Sequence, residues 1–184
     1  LTDEVDRYDV WRKTHTKAPA LSIDIYEWLA QEYEAAEDSE QAEKHYRKVL
    51  ALKPPAVQEK RIRLKLSRLM SKEKRHGAAV REWQIFREKY PEEADRTEVL
   101  APLAEAYLGS AEYPQAQQLA EQILRQNPEG ENNALGRILL GDVQMARLNF
   151  GEAAKLFRAV ALLAMDDVYT PLALSKAEEA FRRG

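Results

Sequence analysis

Four copies of one amphipathic helix pair, spaced 37 residues apart without an insertion, constrain this chain more than any other feature. The founding copy spans residues 22–54. Its first helical stretch carries Tyr26, Leu29, Ala30 and Tyr33, and its second carries Ala42, Tyr46, Val49 and Leu50. Offsets of three and four place each set on one face of an α-helix. Pro54 closes the second stretch, because proline has no N–H to donate and disfavours helical backbone in the residue before it. Ala42 recurs as Ala79, Ala116 and Ala153, and Tyr46 as Trp83, Ala120 and Phe157. Leu29 recurs as Leu66, Leu103 and Leu140, Ala30 as Ser67, Ala104 and Gly141, and Pro54 as Pro91, Pro128 and then Met165. No single pair buries its apolar face alone, so the copies must stack, and the chain is expected to be an all-α solenoid.

The lattice sets the expected layout. Residues 1–21 form an N-terminal capping segment, helical through Val5, Tyr8, Trp11 and Arg12. Residues 22–169 hold four repeats (22–56, 57–93, 94–130 and 131–169), with helices near 23–36, 39–52, 57–75, 77–89, 95–109, 113–125, 132–147 and 150–164. Residues 170–184 form a C-terminal capping helix or the first helix of a fifth repeat, because Leu174, Ala177 and Phe181 fall on the lattice positions of Tyr26, Leu29 and Tyr33. The small residues at positions such as Ala30 and Ala42 let helix backbones approach closely, and the large residue four positions after the second-helix Ala fills the space beside the crossing.

Composition removes several classes. There is no cysteine, which excludes disulfides, thiolate metal sites and thiol catalysis. The net charge of −3 favours no bulk polyanion as a partner. No apolar run approaches the roughly 18–20 residues of a membrane span, and no signal peptide is visible. The chain opens on Leu1 rather than Met, so any targeting segment is expected to lie outside it.

Catalytic chemistry finds little support, and no catalytic residue, metal site or cofactor is expected. His15, His45 and His76 have no metal-ligand partner three or four residues away. His45 reads as a residue on the outer face of a second helix, and His76 as a turn residue at the position later taken by Tyr113 and Phe150. The acidic residues read as solvent-facing, with pairs such as Glu40–Lys44 and Glu43–Arg47 at ion-pair spacing on one helix. There is no glycine-rich phosphate loop.

The sharpest anomaly is electrostatic. Residues 57–90 hold eleven Lys or Arg against four Glu, a net +7 that leaves −10 for the rest of the chain. Such segregation bears on partners rather than on fold. A nucleic-acid contact would use Arg61, Arg68 and Lys72, but no aromatics interleave them to stack bases. A solvated face that pairs with neighbouring acidic helices is the preferred reading.

The recurring positions resemble the tetratricopeptide repeat (TPR). Tyr26, Leu29, Ala30, Tyr33, Ala42, Tyr46, Val49 and Pro54 match its pattern, as do Leu100, Leu103, Ala104, Tyr107, Ala116, Ile123 and Pro128. Repeat two departs at Arg63 and Met70, and repeat four at Arg137, Gln144 and Met165. The 37-residue period is longer than the usual 34, and with residues 86–91 and 169–174 it resembles the repeats of bacterial envelope proteins such as the Tol–Pal-associated periplasmic protein and the outer-membrane-assembly lipoproteins. The resemblance implies a right-handed superhelical array whose first helices line a concave face. It implies a non-catalytic scaffold or adaptor that binds a peptide or protein segment there. The contact positions it implies are Asp24, Glu27, Gln31 and Glu34; Arg61, Leu64, Arg68 and Lys72; Glu98, Ala101, Glu105 and Leu108; and Leu135, Ile138, Asp142 and Met145. Among these, Leu135, Ile138 and Met145 are the expected apolar anchors. The Lys and Asn clamp that chaperone-binding relatives use is replaced by Glu27, Gln31, Leu64 and Arg68, so capture of a chaperone tail is not expected. The alternatives are a self-associating module, with a possible homo-oligomer, and an anionic-surface or nucleic-acid binder working through repeat two. A periplasmic or envelope location is favoured over a cytoplasmic one.

Overall fold

A computed structural model describes residues 2–126, 131–163 and 168–184. Among these residues there are ten helices and no strands: α1 (Thr2–Thr14), α2 (Ile23–Ala35), α3 (Ser39–Ala51), α4 (Ala56–Lys72), α5 (His76–Lys89), α6 (Thr97–Gly109), α7 (Tyr113–Gln126), α8 (Glu131–Ala146), α9 (Phe150–Leu163) and α10 (Tyr169–Arg183). They fall into two compact units, residues 1–69 and 70–184. In the first, α2 packs on α3; in the second, α5 to α10 each pack on the next helix, and α8 also packs on α6 and α10. The fold is all-α, as the 37-residue lattice predicts. The lattice positions Pro128 and Met165 lie outside the described residues.

The period extends to the backbone. Glu37, Lys74, Ala111 and Leu148, each 37 residues from the last, adopt left-handed φ values of 59°, 53°, 61° and 63°. The next residue's N–H then reaches back to a carbonyl five positions earlier, in Asp38→Tyr33, Arg75→Met70, Glu112→Tyr107 and Asn149→Gln144, at 2.8–3.1 Å. This closes the first helix of each pair with a Schellman-type turn. The same four residues offer their own carbonyls to Ala42, Ala79, Ala116 and Ala153, which starts the second helix. In repeat two the sequence places the break at Gly77, with the first helix running to 75. The turn instead falls at Lys74, α4 stops at Lys72, and Gly77 lies in the first turn of α5.

None of the four left-handed residues is glycine, although that conformation costs an ordinary residue roughly 1–2 kcal/mol. Glycine would relieve it while loosening the unfolded chain by about 0.5–1 kcal/mol. Ala111→Gly is therefore expected to stabilise the protein by about 0.5–1 kcal/mol, read as a higher urea midpoint with an unchanged slope.

The recurring side chains are the core. Ala42, Ala79, Ala116 and Ala153 are buried, as are Tyr46, Trp83, Ala120 and Phe157, and Leu29, Leu66 and Leu103. The small and large positions compensate for one another. Gly141 lies so close to Phe157 that an added Cβ would fall 2.3 Å from the ring. In the same way Gly109 lies against the His76 ring. His76 is thus a packing residue at the start of α5.

The first unit overturns one expectation. His45 is fully buried, not on an outer face. Its ring stacks on Tyr33 at 5.4 Å and on Tyr26 at 6.2 Å, and Asp6 of α1 lies 3.9 Å from its Nε2. α1 is laid against this face through charge: Lys44 donates to Asp6 at 2.8 Å, Lys48 to Asp9 at 2.6 Å, and the Tyr26 hydroxyl donates to Asp9. Tyr8 and Arg12 fix the end of α1 by donating to the carbonyls of Pro19 and Ala18.

Candidate functional site

The expected contact residues behave differently in the two units. In the first unit they bind one another. Glu27 is buried, not solvent-facing, and accepts from Arg61 through both of its oxygens, at 2.9 Å and 2.8 Å. Gln58 and Gln31 donate to the same carboxylate, and Gln58 also reaches Asp24. Burial pushes the Glu27 carboxyl up, but the hydrogen bonds from Arg61 and Gln58 and the Arg61 charge outweigh it and hold the group below the usual carboxylate range. Glu34 accepts from the Tyr46 hydroxyl, with Lys65 at 3.7 Å. Leu64 is half-buried and Arg68 is exposed. Glu82, in the second unit, is likewise buried rather than solvent-facing.

In the second unit the lattice brings carboxylates together on successive first helices. Glu105 of α6, Asp142 of α8 and Glu179 of α10 are 37 residues apart and share one helical position. Beside them a cleft of about 460 Å³ is lined by Leu108, Asp142, Met145, Leu148, Phe157, Lys176, Glu179 and Arg183. Lys176 donates to Asp142 at 2.7 Å and lies 5.8 Å above the ring of buried Phe157. Arg183 lies 3.3 Å from Glu179 and stacks over Phe150. Lys65 stands in the same relation to Tyr46 as Lys176 to Phe157, again at 5.8 Å and three periods earlier. The cation over the second-helix ring is thus a recurring device.

Two of these carboxyls are held up rather than down. Desolvation raises Asp142 most, and the Lys176 hydrogen bond offsets only part of it. Glu105 is exposed, one helical turn before Leu108 on α6, yet desolvation raises its carboxyl, the Asp142 charge adds to the upward shift, and the Lys176 charge offsets part of it. Among the described residues Glu105 makes no hydrogen bond or ion pair.

Of the expected apolar anchors, Met145 lines the cleft. Ile138 does not: it is core, packed with Ala134, Val160 and Ala173, because α9 and α10 both cover that side of α8. Ala101 is buried, Leu135 half-buried, and Lys72 and Glu98 are exposed away from the cleft lining. Lys176, Glu179 and Arg183 were not among the expected contacts. The lattice itself could have supplied Glu179, one period after Asp142. Among the described residues no group of three or more His, Asp or Glu is placed to hold a metal ion, and no helix is long and apolar enough to cross a membrane.

The sequence pattern of the YfiO outer membrane lipoprotein family matches residues 55–158, more than half of the chain. The chain belongs to the YfiO outer membrane lipoprotein family. Its repeats are of the TPR type, consistent with this YfiO match and with a solved structure of similar fold, a putative kinesin light chain with nearly identical TPR-like repeats from Podosopora anserina. That structure has a TM-score of 0.65 over 88% of this chain and 86% of its own, at 16% identity, a likeness of fold alone. No curated protein matches the sequence. A YfiO-family chain built of TPR-type repeats is, in general terms, a scaffold for protein–protein interaction.

Proposed function

We propose that this chain is a non-catalytic docking scaffold of the bacterial envelope that receives a protein segment in the cleft between α8 and α10, with Glu105, Asp142 and Met145 as contacts. The observation that carries the reading is the cleft itself, where Leu108, Met145 and Leu148 offer apolar surface next to charged groups. Sites that hold partner segments combine apolar contact with a few fixed polar groups in this way. The family description supports the envelope as the setting.

The first-unit positions are assigned here to the fold rather than to the partner, because Asp24, Glu27, Gln31, Glu34 and Arg61 are engaged with one another or with Gln58, Tyr46 and Lys65. The same accounting weighs against a nucleic-acid role for repeat two. Arg61 holds Glu27, Arg63 holds Glu59 at 2.9 Å, and Arg87 holds Asp95 and the Ala94 carbonyl.

A photoreactive residue placed at exposed Leu148 in the native cell tests the proposal, with Gln118 on α7 as the control position. Discrete adducts to another protein from Leu148 and none from Gln118 are expected. Adducts only to a second copy of this chain would replace the proposal with self-association, and no adduct at Leu148 would overturn it.

A further inference from the structure

Resting on the docking reading above, the charge distribution identifies what the cleft recognises. Two carboxylates, Asp142 and Glu179, and two cations, Lys176 and Arg183, line it, and Glu105 lies next to that lining, one helical turn before Leu108 and within reach of the Asp142 and Lys176 charges. Each cation is already committed, Lys176 to Asp142 and Arg183 to Glu179. Glu105 is left over, in a setting that disfavours its charge. Next to it, one helical turn along the same face of α6, Leu108 leads into the apolar lining of Met145 and Leu148. A group that completes this arrangement needs a positive head for Glu105 and an apolar stem or neighbour for the lining. An arginine side chain has both, since its methylenes cover apolar surface while its planar head pairs with a carboxylate.

We infer that the cleft binds an extended partner segment through an arginine that pairs with Glu105, flanked by an apolar residue seated between Leu108, Met145 and Leu148. The resident Lys176 is the internal counterpart of that ligand, a cation on a carboxylate above an aromatic floor. Glu105 is therefore a recognition residue whose charge is only partly offset in the free protein, by Lys176, which is hydrogen-bonded to Asp142 instead.

The probe is the peptide acetyl-Ala-Leu-Arg-Leu-Ala-amide, compared with the same peptide carrying citrulline, the neutral isostere of arginine, and with one carrying glutamate. The chain has three methionines, so methyl-labelled NMR follows Met145 directly. The arginine peptide is expected to move the Met145 signal and not that of Met70, and to bind about fivefold more tightly than the citrulline peptide, the ratio one partly desolvated charge pair supplies. Glu105→Gln is expected to abolish that preference while the protein stays folded and melts no lower, because the substitution removes a charge that the fold disfavours. A loss of preference with raised stability cannot come from misfolding. Equal binding of the arginine and citrulline peptides at Met145 would overturn the inference and leave the docking reading standing. Tighter binding of the glutamate peptide, or no response of Met145 to any peptide, would overturn it as well. The crosslink from Leu148 then decides the docking reading separately.

Discussion

Gly141→Ala is expected to lower the stability of the second unit by up to about 2 kcal/mol, although alanine is the better helix former. In an open helix interior the change would gain about 1 kcal/mol. Here the added carbon meets Phe157 at 2.3 Å from Cε1, 2.7 Å from Cζ and 2.8 Å from Cδ1, and the ring is fully buried. Overpacking of this kind costs roughly 1–3 kcal/mol and outweighs the propensity gain. Gly151→Ala is the matched control. A Cβ there meets nothing within 4 Å, so that variant is expected to be neutral or slightly stabilised. Urea unfolding of both single variants, and of Gly141→Ala combined with Phe157→Leu, decides the point. The double variant should recover part of the loss, since the two positions share one space. Phe157 is also the floor under Lys176, so a displaced ring should disturb the Lys176–Asp142 pair as well.

The helix pairs were legible because one packing solution is repeated four times. Small residues at Ala30, Ser67, Ala104 and Gly141, large ones at Tyr46, Trp83 and Phe157, and the alanines opposite them carry a period that no surface variation hides. The turns obey the same period, but through backbone shape. Glu37, Lys74, Ala111 and Leu148 share a conformation and no chemistry, so residue identity does not reveal them. The site was only partly legible. Exposure on a first helix depends on what is packed over it, and a repeat pattern does not carry that. Glu27 and Arg61 read as two contacts and are one internal pair. Ile138 reads as an anchor and is covered by its neighbours. His45 reads as exposed because nothing in the lattice announces that acidic α1 lies against that face.

His45→Phe is expected to stabilise the first unit by about 1–3 kcal/mol and to remove its pH dependence in the mildly acidic range. Among the described residues neither ring nitrogen of His45 has a hydrogen-bond partner, although the ring is completely buried, and an unsatisfied buried polar atom costs on that order. Phenylalanine keeps the stacking on Tyr33 and Tyr26 and removes the orphaned nitrogens. Burial first, and the Lys48 charge next, hold His45 below its usual pKa, with Asp6 and Asp9 opposing and Lys44 reinforcing. At pH above about 6.5 neither the native nor the unfolded imidazole is charged, and the full stability is present. As pH falls below that value the unfolded chain takes a proton that the native state refuses, so stability declines until the lowered native pKa is passed. Asp6, Asp9 and Glu27, all held below their usual values, add their own losses only at pH below about 4.5. The second unit has the opposite sign. Glu105 and Asp142 are held above their usual values, so the native state binds protons there first and gains stability as pH falls toward the ordinary carboxylate range. Amide hydrogen exchange between pH 7 and 5, corrected for intrinsic rates, should therefore show α3 losing protection while α8 gains it. His45→Phe should flatten the first trend alone, and Glu105→Gln should weaken the second alone. Parallel losses in both helices would mean that the charges of the second unit are compensated in the free protein, and would remove the vacancy on which arginine recognition depends.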